Sequence, residues 1–360
     1  MKRLALAFVG AVLALGVVQS CSRSGTSTTA SPETTAWTSL TPAKAMELSL
    51  VDRMFVAPKN VAHGGVRHLV YDLPTPGGVQ RLEYLERVVS DGHGQFSITP
   101  VSVVSPAMTN TQRETFELIQ KQREGFFFNY RDFGVRDREL FGANYRVVTV
   151  PTVTSFLGRD CIELEIRRRD DAATWYLALV DSQTGLVMRC VEYTTAGSVL
   201  SRTEFTEFTL EPDLEGVEWH ETRYAPETTP LTPASISALG FAPAEPRLLP
   251  AGFQHLSSEV VTAEGESWVR RVYGDGVESL FVLHRRRTEP GLLEASSETS
   301  SLRMGNASSP VASGAPSTVT VRLCQVGPWT MAEASRGLER IFVVGKVAEA
   351  EVVRVLQSTL

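Results

Sequence analysis

What this 360-residue sequence has little of narrows its function first. Four cysteines are too few to staple a scaffold of this length. No apolar run reaches the roughly 18 residues that a membrane-crossing helix needs, which excludes multipass helical transporters and channels. Basic residues do not dominate: 35 Lys and Arg stand against 41 Asp and Glu, a net charge of −6. A basic field for nucleic acid is therefore missing. Catalytic signatures are missing too. The chain has no Walker loop, no dinucleotide glycine fingerprint after a strand, no His-Glu-x-x-His and no Gly-x-Ser-x-Gly. His63 and His68 would face opposite sides of a strand, and His93 sits in a Gly-His-Gly turn. His220, His255 and His284 have no carboxylate or cysteine at ligand spacing. An enzyme is not the reading, and neither a cofactor nor a metal is expected. What is present, 42% apolar residues with 21% charged, suffices to bury real cores.

The amino terminus bears on location. Lys2 and Arg3 precede an apolar run at residues 4–18, followed by Gln19, Ser20 and Cys21. This resembles a bacterial lipoprotein signal over residues 1–20, which implies lipidation of Cys21. An ordinary cleaved signal with Cys21 incidental is the alternative. Either way the mature protein is expected outside the cytoplasm, in the bacterial cell envelope and, if lipidated, anchored to a membrane on its periplasmic side. Residues 21–42 are mostly Ser, Thr, Ala and Gly and read as a flexible tether.

The body of the chain is mostly strands. Thr41-Pro42 predicts a helix start, with Ala45, Leu48, Val51 and Met54 at helical spacing. Strands are predicted over 66–72, 79–89, 95–104 and 145–150. A helix is predicted over 109–122, with Phe116 and Ile119 on one side, a capping box of Thr111 and Glu114, and Gly125 as its break. Phe126, Phe127, Phe128 and Tyr130 then form the densest aromatic patch, core or cavity lining.

Residues 156–210 read as a four-strand meander. Ile162, Leu164 and Ile166 alternate with polar residues and should face inward; a strand from Trp175 to Val180 and the Asp181-to-Gly185 turn follow. In the returning strand, Met188 and Cys190 compete with Val187 and Val191 for the inner face. The run Phe156-Leu157-Gly158-Arg159-Asp160, the strand at Trp175-Tyr176, Asp181-x-x-Thr184-Gly185-Leu186 and the ending Phe205-Thr206-Glu207-Phe208 resemble the meander of MucB/RseB regulators, and more widely the LolA and LolB lipoprotein carriers. The resemblance implies an α+β fold: a strongly curved antiparallel half-barrel wrapping helices around an apolar cavity. Phe126, Phe127, Phe128, Ile162, Leu164, Ile166 and Trp175 are the expected cavity residues.

Residues 212–249 are rich in proline and read as a linker, with a short helical turn over 233–239 ended by Gly240. A second, smaller antiparallel α+β domain is expected over 250–360, with a serine-rich insertion at 291–318 expected to be disordered. Leu249-Pro250-Ala251-Gly252-Phe253 and the stretch 272–282, with its Gly274-Asp275-Gly276 turn, again resemble the MucB/RseB family. The first domain is thereby placed at 43–211.

Cys161 and Cys190 lie on strands separated by one other, about 10 Å apart in a flat meander and beyond disulfide reach. A curled sheet would shorten that distance. Two arginine clusters, at 167–169 and at Arg285, Arg286 and Arg287, close strands. They read as solvated edges or as contacts for anionic lipid or an acidic partner. The resemblance implies a tethered regulator or sensor that binds the outer segment of a membrane anti-sigma factor, with a lipid or acylated lipoprotein as a further ligand. A lipid or lipoprotein carrier or acceptor is the alternative. A carrier needs the cavity but not the second domain.

Overall fold

The computed structural model describes residues 49–75, 78–171, 173–194, 196–219, 227–263, 266–286, 310–311, 319–326 and 328–360. Cys21, the tether, the helix start at Thr41 and Arg287 lie outside them. Of the insertion at 291–318, only 310–311 are described. These residues fall into two compact units, and the division lies within the proline-rich stretch. No described helix is long and apolar enough to cross a membrane.

The first unit is built on one open eight-stranded sheet. Helix α1 (Leu50–Asn60) is capped by Ser49, whose side chain accepts from the Asp52 amide. Strands β1 (Ala62–Thr75), β2 (Gly78–Asp91) and β3 (Phe96–Ser105) precede helix α2 (Asn110–Gln122). Short helical turns at Glu124–Phe126 and Phe127–Arg131 lead to helix α3 (Arg138–Asn144). Strands β4 (Tyr145–Phe156), β5 (Arg159–Arg168), β6 (Thr174–Asp181), β7 (Val187–Tyr193) and β8 (Val199–Thr209) form the meander. Strand order is β3-β2-β1-β8-β7-β6-β5-β4, so β8 returns beside β1, and β3 and β4 remain as edges. Edge strand β3 carries Pro100, which has no amide proton to offer a further strand.

The sequence explains several local choices. The capping box of α2 uses Thr109 and Gln112, two residues earlier than the Thr111–Glu114 pair suggested by pattern. Gly125 does not end the helical path, which continues as a short α-turn and a π-helical turn through Arg131. Burial of Phe126 and Phe127 outweighs the glycine's modest helix cost. The β6–β7 turn is organised by Asp181, which accepts from the Thr184 amide at 2.7 Å, from the Thr184 hydroxyl at 2.8 Å and from Arg159. Burial raises the Asp181 carboxyl, but these bonds outweigh it and hold the group below its ordinary range. Met188, Cys190 and Val191 are buried in β7, while Val187 is half-buried.

The second unit opens with β9 (Glu227–Pro230) and helix α4 (Pro233–Leu239). The helix is capped by Thr232 and closed by Gly240 at φ 69°. Strands β10 (Gln254–Ala263), β11 (Glu266–Gly274), β12 (Ser279–Arg286), β13 (Pro310–Val311), β14 (Val319–Val326), β15 (Trp329–Arg336) and β16 (Glu339–Gly345) follow, then helix α5 (Glu349–Thr359). The sheet runs β13-β14-β15-β16-β12-β11-β10-β9, all described pairs antiparallel. Val352, Val355 and Leu356 of α5 pack with Leu280, Val282, Ile341 and Val343.

Candidate functional site

The interior of the first unit holds a cluster of charges. Arg131 ends the π-helical turn and meets Glu86 of β2 through two bonds, Nη1 to Oε2 at 2.8 Å and Nη2 to Oε1 at 2.5 Å. Its Nη1 also donates to the Tyr84 hydroxyl at 3.1 Å, and its Nε donates to Asp132 at 2.9 Å. Arg67 of β1 completes the group, pairing with Glu86 and, through Nη1, with Asp132 at 2.9 Å. Two cations and two anions thus balance in a site where the Arg131 and Glu86 side chains are 2% and 1% exposed. Burial by itself would favour neutral guanidinium in Arg67 and Arg131, but Asp132 and Glu86 outweigh it and raise both groups.

Backbone irregularities aim these side chains. The β1–β8 register shifts between Val66 and Arg67. The β2–β3 register shifts twice, between Glu83 and Tyr84 and between Leu85 and Glu86. Bulges re-aim side chains and sharpen curvature. Gly65 sits beside the first bulge, where a Cβ would run into the Glu207 carbonyl. Arg131 also lies over the Phe127 ring at 5.1 Å, tying the charge cluster to the aromatic segment.

A small cavity of about 50 Å³ adjoins this cluster, lined among others by Arg67, Asp132, Phe133, Met188, Cys190 and Phe205. None of the seven residues expected to line a cavity borders it. Phe126 and Phe127 are buried core residues, and Phe128 stacks on Phe96 with ring centroids 3.9 Å apart. Leu164 and Ile166 are buried in β5, and Ile162 is half-buried. Trp175 is half-buried beneath Arg168, 5.2 Å from its ring centre. The structure brings Phe126 and Phe127 into ring contact, keeps Phe128 in the π-helical turn, and places Ile162, Leu164 and Ile166 on β5 and Trp175 on β6.

In the second unit, Arg285 departs from the solvated-edge expectation. It is 5% exposed, lies 4.3 Å over the Trp268 ring and pairs with Glu266. Arg286 is exposed and donates to the Gly240 carbonyl at 2.8 Å. Cys161 and Cys190 are buried and form no disulfide. Burial pushes the Cys161 thiol up to about 11, which disfavours the thiolate at neutral pH. Among the described residues no group of three His, Cys, Asp or Glu could hold a metal ion.

Sequence reasoning missed Arg67, Glu86, Arg131 and Asp132. One signal was available: Tyr84, Glu86, Val88 and Ser90 share a parity in β2, and all four are buried. An acidic residue on the inner register requires a buried cation.

No family model matches the chain, and no curated protein matches it. Solved structures do. The chain is similar to the MucA/MucB complex of Pseudomonas aeruginosa at 14% identity and a TM-score of 0.46, covering 86% of this chain and 96% of that one. It is similar to MucB in complex with MucA(peri) at 15% identity and a TM-score of 0.46, covering 85% and 95%. A crystal structure of MucB gives 17% identity and a TM-score of 0.44, covering 88% and 97%. The chain is thus similar to MucB structures along most of its length.

Proposed function

We propose that this protein is a membrane-tethered extracytoplasmic regulator that binds the outer segment of an anti-sigma factor. The observation that carries the reading is the placement of the two stretches that resemble MucB/RseB regulators. Residues 156–210 include the complete run β5-β6-β7-β8 of the first unit, and residues 272–282 include the β11–β12 turn of the second. Both resembling stretches are therefore folded hairpins, in order, in separate units. The carrier reading is less well supported. A carrier must house acyl chains, and small-molecule pockets run to about 300–1,000 Å³. The cavity beside Arg67 is far smaller, at about 50 Å³, and does not by itself offer that room. Tethering through Cys21 belongs to the same reading.

The test is capture of a membrane anti-sigma factor's outer segment by the full chain, with and without long-chain acyl lipid. Capture that weakens as lipid is added is expected. Transfer of an acylated lipoprotein with no capture of the segment would replace this reading with the carrier one.

A further inference from the structure

The stretch between α4 and β10 is fastened to the second unit at several points, and one of them is an imidazole. The Ala244 amide donates to His284 Nδ1 at 3.0 Å. His284 is 2% exposed and meets the Phe241 ring edge-on, with centroids 4.8 Å apart. Two residues along β12, Arg286 donates to the Gly240 carbonyl. Glu245 pairs with Arg271 of β11 at 2.7 Å, and Leu248 and Leu249 reach Ser358 and Arg354 of α5. The polar contacts in this series other than the first do not involve an imidazole.

A backbone amide can only donate. The bond to Nδ1 therefore requires a lone pair on that nitrogen, and so a neutral ring with its proton on Nε2. Once Nδ1 carries a proton, two donors face each other at a buried position and the bond is lost. We propose that neutral His284 latches the loop between α4 and β10 onto the sheet of the second unit, and that its protonation releases residues 241–244. Charged groups on the neighbouring strands bear on that step. Arg271 on β11 and Arg286 on β12 oppose a further positive charge. Glu245 in the loop and Glu339, opposite Arg286 on β16, favour one. Arg354 and Glu351 on α5 are paired with each other. The latch acts within the second unit, on the loop between α4 and β10. Its test involves no partner, so it stands or falls separately from the anti-sigma reading.

The experiment is amide hydrogen exchange on the full chain at pH 7.5 and pH 5.0, corrected for intrinsic exchange rates. The ring nitrogens of His284 are followed in parallel by nitrogen-15 NMR. Protection at Ala244 should fall at least about tenfold at the lower pH, in step with protonation of Nδ1, while Leu283 and Val343 stay protected. In His284→Phe, Ala244 should be unprotected at both pH values. Three results would overturn the proposal: unchanged Ala244 protection, a ring still neutral at pH 5.0, or equal loss of protection throughout β12 and β16. Should the variant not fold, the ring titration and the exchange of the unaltered chain decide between the outcomes.

Discussion

Arg131 and Glu86 meet end-on, Nη1 and Nη2 donating two hydrogen bonds 2.8 and 2.5 Å long, in the interior of the first unit. They are separated by 45 positions in the chain. The pair joins the helical insert to the sheet. Its carboxylate also serves Arg67, so the insert, β1 and β2 are held by one anion.

Breaking that pair from one side should be costly. Removing one partner of a buried ion pair leaves an uncompensated charge, worth about 3–5 kcal/mol. Arg131→Ala and Glu86→Gln should each lower the unfolding free energy by roughly that amount. The double variant Arg131→Met with Glu86→Leu should lose much less. Urea titrations followed by circular dichroism measure all three, and equal losses for single and double variants would count against the assignment.

Acid should destabilise the first unit partly through His63. Burial lowers its pKa from the ordinary 6.5 to about 4, with the Val61 carbonyl bond acting the other way. The unfolded chain therefore takes up this proton before the folded chain does. Stability from His63 is complete above about 6.5 and falls as pH drops towards about 4. The full effect is about 3 kcal/mol. His63→Gln should flatten the stability profile within that window, as seen in denaturation midpoints at pH 7.5 and pH 4.5.

Gly185 should not tolerate a side chain. Its φ is 84°, and an added Cβ would lie 2.8 Å from the Met54 amide nitrogen and also against Arg53. Gly185→Ala should cost more than about 1 kcal/mol. Gly197, also at positive φ but open to solvent space, should pay only the conformational part on the same change. A comparison of melting temperatures separates the two contributions.

Cys161 and Cys190 should react with thiol reagents only when the first unit opens. Cys161 is fully buried, and its thiol stands near 11. Peptide mass mapping after brief labelling at pH 7.5 should find neither residue modified in the native protein and both modified in urea. Rapid native labelling at Cys161 would contradict the structure.

Local chemistry alone determined a good part of this protein. Alternation at Ile162, Leu164 and Ile166, the turn from Asp181 to Gly185 and the turn at Gly274 to Gly276 mark strands and hairpins, because side-chain period and turn geometry act over a few residues. The helix over Pro233–Leu239 and its end at Gly240 were legible for the same reason. What tertiary structure decided was where charge is buried. Arg285 reads as a solvated edge until Trp268 is placed beneath it by the β11 strand. Strand β9 lies in a proline-rich stretch, and it forms because β10 supplies the partner bonds. The cluster of Arg67, Glu86, Arg131 and Asp132 draws on two strands and the helical insert. No short-range pattern encodes it, since each charge is tolerable inside only when the others arrive from elsewhere in the chain.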